Sequence, residues 1–326
     1  MQRYSNTSAV PLSLAVFLAT DNYDYNDDPD TISATALIKP VRQLVLASRV
    51  PATESIVDLS NMTASRMGTA LHDAIERSWT GNYQSALTAL GYPQKIIDRV
   101  SINPKPEELK PETIPVYLEQ RAHKKVGKWT VSGKFDFVGE GRVEDFKSTS
   151  TYTVINNTND EKYSWQGSIY RWLNPSLITK DEMAIQFIFT DWSAAKARSD
   201  PKYPKNRTQQ RLIPLKSVNE TDAFIRRKLS DIERYWDATE ETLPLCTDVD
   251  LWRSAPEFKY YKNPSKTNRS TKNFDTYHEA HQRYMEDSRV GVIVEKPGQV
   301  TACKYCQAFS VCSQKDNLIA NGDLVL

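Results

Sequence analysis

Cysteine is scarce in this sequence. Four occur in 326 residues, Cys246, Cys303, Cys306 and Cys312, all in the last quarter of the chain. No export signal precedes them, so a disulfide framework is not expected and a metal site is the better use of the thiols. Long apolar runs are missing too. A membrane-spanning helix needs about 20 apolar residues in succession. The stretch Val10–Phe17 falls well short of that, with Arg3 as the one base before it and an acidic stretch after it. Neither a membrane segment nor a secretory leader is therefore expected, and the expected location is the cytoplasm. The phosphate-loop pattern G-x-x-x-x-G-K-S/T does not occur, which excludes a nucleotide-driven motor of that kind. Aspartates crowd positions Asp21, Asp24, Asp27, Asp28 and Asp30, without the glycine and distal glutamate of a calcium loop, so a solvated loop is expected there.

Net charge is only +1, short of the basic excess common in nucleic-acid proteins. The charges are unevenly placed, however. Phe258–Phe274 holds five bases and no acid, with asparagines and two tyrosines between them. Lys196–Arg211 holds six bases against one acid, Asp200. Both read as phosphate-binding loops, and Lys262, Lys266, Arg269 and Lys272 are the candidate nucleic-acid contacts.

Hydrophobic spacing predicts a helix from Ser33 through Leu37, Val41, Leu44 and Val45, and a second from Ser65 to about Gly81 carrying Met67, Leu71, Ile75 and Trp79. Residues 82–100 read as a short helix pair, and Pro104, Pro106, Pro111 and Pro115 mark an extended connection. Strands are expected at Val116–Arg121, Trp129–Val138 and Arg142–Phe146, with a tight turn at Gly139–Gly141. A helix over 161–173, strands at Met183–Thr190 and Gln210–Leu215, and a helix capped by Ser217 follow.

The hairpin carries the chemistry. Asp145 and Lys147 are two apart on one strand and share a face, and the turn brings Asp136 beside them. Two carboxylates and an ammonium then converge where a hard divalent cation can bind. Phosphodiester hydrolysis needs such a cluster, because the cation polarises the phosphate and acidifies the attacking water, while a lysine orients that water and balances charge. Gly68-x-x-x-His72 lies on the second helix, with Glu76 one turn beyond the histidine; imidazole suits manganese better than magnesium. Gln166-x-x-x-Tyr170 places an amide and a phenol on one face of the helix that follows the hairpin.

A helical G-x-x-x-H, then G-x-x-D at Gly133–Asp136, then D-x-K at Asp145–Lys147, then Q-x-x-x-Y, in that order, resembles the RecB-like branch of the PD-(D/E)XK nucleases. The resemblance runs from about Ser33 to about Glu240. It implies magnesium or manganese bound by His72, Asp136 and Asp145, Lys147 as the catalytic lysine, Gln166 and Tyr170 as its support, and Glu119 as an outer contributor.

Cys303-x-x-Cys306-x₅-Cys312 is a compact thiolate triad, and Cys246 supplies a fourth sulfur, which suits a 4Fe–4S cluster or tetrahedral zinc. One cysteine plus three resembles the iron–sulfur nucleases of the AddB type and the CRISPR-associated RecB-like exonucleases. In those families the lone cysteine precedes the nuclease core, whereas here it follows.

The expected architecture is α/β. Residues 1–32 are weakly structured. Residues 33–241 form a restriction-endonuclease-like core, a small mixed sheet flanked by helices with a helical N-terminal part. Residues 242–326 form a metal-stapled region packed on that core. The expected function is a metal-dependent DNA nuclease, an exonuclease in recombination, replication or DNA degradation, acting on single-stranded DNA or free ends. Two alternatives stay open: a non-catalytic DNA-binding iron–sulfur module, and a structure-specific endonuclease.

Overall fold

Three strands in succession, joined by tight turns, set the architecture. In this computed structural model, which describes residues 3–21, 28–51 and 56–326, the chain divides into two compact units. The first comprises Met1–Ile38 and Ile56–Ser230, and the second Lys39–Ser55 and Asp231–Leu326. This differs from a core running unbroken over 33–241. The reason lies at Pro40, which stops the helix begun at Ser33. Past it the chain passes into the second unit.

The chain begins with β1 (Arg3–Ser5), α1 (Leu12–Ala19), β2 (Thr31–Ser33) and α2 (Ala34–Leu37), crosses as α3 (Val41–Ala47), and returns with β3 (Ile56–Asp58). β1 and α1 replace the weak structure expected before residue 33: β1 pairs in parallel with β3, and Leu18 of α1 is buried. The acidic stretch is not simply solvated. Asp21 pairs with the buried Arg66 at 3.0 Å, and Asp28 accepts the Thr31 hydroxyl at 2.7 Å. Asp24 and Asp27 lie outside the described residues.

The 19-residue α4 (Thr63–Gly81) turns Gly68, Leu71, His72, Ile75, Glu76 and Trp79 inward at 3.6-residue spacing. Met67, expected on that stripe, sits one residue, about 100° of turn, off it and is exposed. Then come α5 (Tyr83–Ala89), α6 (Gln94–Ile97), β4 (Val100–Ile102), β5 (Ile114–Val126), β6 (Trp129–Gly139) and β7 (Arg142–Thr149). Glu140 and Gly141 both take positive φ, at 51° and 78°, as a two-residue hairpin turn requires. The first unit closes with α7 (Thr151–Ile155), α8 (Asp160–Leu173), β8 (Glu182–Phe189), α9 (Ala194–Ser199), β9 (Thr208–Pro214) and the start of α10 (Val218–Tyr235). Ser217 caps α10 as expected and exchanges hydrogen bonds with Glu220 in a capping box.

The sheet runs β4-β5-β6-β7-β8-β9, with β2 also pairing with β6. β7 and β8 are parallel, because α7 and α8 form a crossover between them, while β5, β6 and β7 form an antiparallel meander. Val131, Phe135, Val143, Ile169, Trp172, Met183 and Ile185 fill the core. Among the described residues no helix is long and apolar enough to cross a membrane.

In the second unit, the region expected as a basic loop is a sheet of its own. β10 (Glu257–Tyr261) lies between β11 (Lys272–Phe274) and β12 (Val292–Lys296), with α11 (Tyr277–Glu286) against them. Tyr260 is fully buried and donates to Asp287 and the Val290 carbonyl, so it is a core residue. Lys262, Lys266 and Arg269 lie on the loop between β10 and β11, and Lys272 opens β11. The tail ends in α12 (Ser313–Ala320).

Close packing of α8 on the sheet explains Gly167. A Cβ there would stand 2.5 Å from Met183 Sδ and 2.8 Å from Leu215 Cδ2. Both neighbours are flexible side-chain ends, so Gly167→Ala should still fold, at a cost of about 1–3 kcal/mol read from the urea midpoint. An unchanged midpoint would show that α8 does not press on the sheet as described.

Candidate functional site

The site grows from a fork in the sheet. β7 pairs with β6 only over Phe137–Gly139, and β2 pairs with β6 only over Thr130–Ser132. Between these two ladders, at Gly133–Asp136, the edge of β6 lies open. Side chains take up the backbone groups there. Asp136 Oδ2 accepts the Phe146 amide at 3.2 Å, and His72 Nε2 meets the Phe146 carbonyl at 3.0 Å. The Phe146 backbone is thus clamped at both its N–H and its C=O, and the clamp draws α4 onto β7.

Three ligand-bearing groups converge at the fork. His72 Nδ1 faces Asp136 Oδ2 at 3.4 Å and Glu119 Oε1 at 3.7 Å. Among the described residues, these are the group of three whose ligand atoms all lie within 4.8 Å of one another. Glu119 reaches the site through a backbone irregularity. It stands opposite Asp136 in the middle of β5 with φ at 49°, and the register on either side is unbroken. Such a conformation costs a non-glycine residue of order 1–3 kcal/mol and persists only where the surroundings enforce it. Lys134 holds the other Glu119 oxygen at 2.6 Å.

Asp145 and Lys147 sit next to this trio on β7. Lys147 Nζ lies 2.6 Å from Oδ2 of Asp145, the more deeply buried partner of the pair. The buried carboxylate thus already has one cationic partner, and as a hard oxygen donor it could share itself with a divalent cation. The other oxygen is fixed: Gln166 donates to Asp145 Oδ1 at 3.0 Å and to the Tyr170 hydroxyl at 2.9 Å. Gly133 lets this helix face come close, since a Cβ there would lie 3.1 Å from the Tyr170 ring and 2.6 Å from Leu173 Cδ1.

The electrostatics call for positive charge. Burial opposes charging His72, but its bonds to Asp136 and Glu119 prevail and push its pKa up to about 10. Burial raises the Asp145 carboxyl, and Lys147 pulls it back down. Burial likewise works against the Lys147 ammonium, but Asp145 and Asp136 hold its pKa above the usual lysine value. His72 and Lys147 offset the carboxylates here, a charge balance that a divalent cation could also supply.

The four thiols form a second cluster, within the second unit. Cys246, Cys303, Cys306 and Cys312 line one small cavity. Gln314 draws Cys246 towards the other three, accepting from its amide and donating to its carbonyl, both at 2.9 Å. Burial, then Asp250 and the neighbouring thiols, push Cys246 up to about 12, the opposite of what a bound metal ion would do. Arg42, 3% exposed, reaches Cys312 Sγ at 3.5 Å, the Glu240 carbonyl at 3.2 Å and Ser313 Oγ at 3.2 Å, and it pairs with the Glu240 carboxylate.

Of the residues named from sequence, the structure therefore gathers His72, Asp136, Asp145, Lys147, Gln166 and Tyr170 around one fork, and the four cysteines around one cavity. Glu119 is closer in than an outer contributor. Only a backbone break invisible in sequence puts it there. Arg42 escaped notice because its partners lie some 200 residues and more along the chain.

No family model and no curated protein matches the sequence. Among solved structures, the chain is similar to SSO0001 at 16% identity and a TM-score of 0.37, over 66% of this chain and 80% of that one. It is also similar to a phage related exonuclease from Haemophilus somnus 129PT at 15% identity and a TM-score of 0.26, over 37% of this chain and 60% of that one. At this distance the chemistry has to be read from the residues themselves.

Removing the buried guanidinium leaves Glu240 and several backbone acceptors uncompensated. Arg42→Met should destabilise the second unit by about 3–5 kcal/mol and open residues 231–326 to protease. Proteolysis at the wild-type rate would mean that the network holds nothing in place.

Proposed function

We propose that this chain is a metal-dependent DNA nuclease of the PD-(D/E)XK, RecB-like kind, acting as an exonuclease, with a restriction-endonuclease-like core and a cysteine-ligated iron–sulfur cluster stapling its C-terminal region. One observation carries the reading: His72, Glu119 and Asp136 converge at the sheet fork beside the buried Asp145–Lys147 pair. Mere DNA binding does not require that set, because carboxylates repel phosphate.

A magnesium or manganese ion would be held by His72, Asp136 and Asp145, with Glu119 as a further ligand, and would supply phosphate polarisation and an acidified water. The chain's own residues do the rest. Gln166 fixes Asp145, so its second oxygen points where Lys147 can reach it. Lys147, kept as an ammonium by its two carboxylate neighbours, balances the charge that builds on phosphate oxygens and orients the attacking water. Lys262, Lys266, Arg269 and Lys272 present cationic groups to the DNA backbone.

Iron–sulfur is preferred to zinc on the resemblance of the one-plus-three cysteine pattern to iron–sulfur nucleases, since four thiols suit either metal.

The deciding assay uses linear and circular DNA, single- and double-stranded, with and without manganese. Wild-type protein should degrade linear DNA only when a divalent cation is present. Asp145→Ala and Lys147→Ala should each lose activity at least about a hundredfold while keeping the wild-type circular dichroism spectrum. Full activity in either variant would falsify the catalytic assignment.

The staple is tested separately. Protein purified without oxygen should be brown, with an absorbance near roughly 400 nm. Cys303→Ser should lose the colour and melt at a lower temperature. Colourless wild-type protein carrying one zinc per chain would make the staple zinc, and four free thiols in metal-replete protein would remove the staple altogether.

A further inference from the structure

A cavity of about 520 Å³ opens beyond the C-terminal ends of the parallel pair β7 and β8. In open sheets this is where parallel strands offer ligands a crevice. The volume lies within the roughly 300–1,000 Å³ of small-molecule sites, far more than one phosphate ion fills. Its polar wall is Lys202, Lys205, Arg211, Asn157, Asn206 and Gln209, and no carboxylate lines it.

The walls are built. Asp191, just after β8, spends its carboxylate on the Thr151 amide at 2.7 Å and hydroxyl at 3.2 Å, tying the ends of the two strands together. Tyr203 donates to the Asp191 carbonyl at 3.2 Å and accepts from the Ser193 amide at 3.0 Å. Trp192 donates to the Pro204 carbonyl at 2.9 Å. Arg211 is committed to Asp160 and the Val154 carbonyl. Lys205 bonds the Ala197 and Asp200 carbonyls. Lys202 stands exposed on the rim.

We propose that this cavity is a second contact for nucleic acid, seating a phosphodiester unit of the same strand that reaches the cation seat. The proposal rests on the nuclease reading for the strand's other end. Position supports it. Lys147 is paired in register with Phe187 on β8, and Arg211, which lines the cavity, lies 5.8 Å over the Phe187 ring. The cavity therefore borders the strand pair that carries Lys147, where a phosphate adjoining the one at Lys147 can reach it. Lys202 and the amide donors suit a phosphodiester, Arg211 being already paired with Asp160, and Ile155 offers an apolar surface to a base or sugar.

The test is fluorescence anisotropy with a short single-stranded oligonucleotide, with calcium in place of magnesium or manganese to hold off cleavage. Wild type is compared with Lys202→Glu and with Lys202→Glu/Lys205→Gln, each checked by melting temperature. Lys202→Glu alters only an exposed rim position, so it reports even if the double variant melts early. The expected result is a Kd raised about tenfold or more, and a shallower dependence of log affinity on log salt, by about 0.7 for each phosphate no longer neutralised. Unchanged affinity in folded Lys202→Glu protein overturns the proposal. So does capture of inorganic phosphate or a nucleoside 5′-monophosphate as tightly as the oligonucleotide, which would make the cavity an anion or product pocket. Cleavage by wild-type protein separates the two ideas. DNA bound through Lys202 but never cut upholds the cavity and removes the nuclease reading, whereas DNA cut normally with binding untouched by Lys202→Glu removes the cavity alone.

Discussion

The backbone of one residue organises the first unit: the amide and carbonyl of Phe146, held by Asp136 and His72 where β7 parts from β6. A strand leaving its neighbour exposes backbone donors and acceptors, and these must find partners or cost free energy. Here the partners are the side chains of a carboxylate and an imidazole. The need to satisfy a backbone and the need to assemble a cation seat are met by the same two residues. This constrains everything around them. α4 must lie close enough to bring His72 in, β5 must break its conformation at Glu119, and α8 must press Gln166 onto Asp145. A looser helix would lose the clamp and the seat together.

The second unit solves a different problem with a similar economy. Its segments come from three distant parts of the chain, and Arg42 collects them: Glu240 and Leu243 after α10, Cys312 and Ser313 at the tail. A buried guanidinium costs several kcal/mol in desolvation unless its donors are satisfied. The close pairing with Glu240, which also accepts the Ser313 amide, provides that satisfaction. Gln314 does the same work with uncharged groups on Cys246. The thiols line one cavity, and closing so long a loop is where a metal staple would stabilise most.

The sequence is most legible where local rules govern. Alternating apolar residues place β5, β6 and β7, turn chemistry places Glu140–Gly141, and Ser217 with Glu220 announces α10. The G-x-x-D, D-x-K and Q-x-x-x-Y spacings put their residues on facing surfaces of one hairpin and one helix, so their convergence follows from period-two and period-3.6 geometry. Features that depend on tertiary contact are not legible. Pro40 hides in a helical pattern, although it sends the chain from one unit to the other. Glu119 owes its place to a left-handed residue inside a strand, which no propensity favours. The β10–β12 sheet is masked by its composition: lysines between the aromatics read as a solvated loop, and only the burial of Tyr260 and Tyr261 turns the stretch into a strand.

The two candidate centres differ in donor chemistry, and that difference bears on what each can do. The fork offers carboxylate oxygens and an imidazole, hard to borderline ligands that suit magnesium or manganese and leave room for water and phosphate. The tail cavity offers four thiols, soft donors that, once ionised on a metal, would fill its coordination and leave no open position. Catalysis needs an open position, and a staple does better without one. Lys147 reinforces the distinction, since an ammonium beside the fork can meet a phosphate, while the cation beside the thiols, Arg42, is buried and already committed to protein partners. On the proposed reading, chemistry on phosphate and closure of the tail fall to different donors, each with its own charge partner.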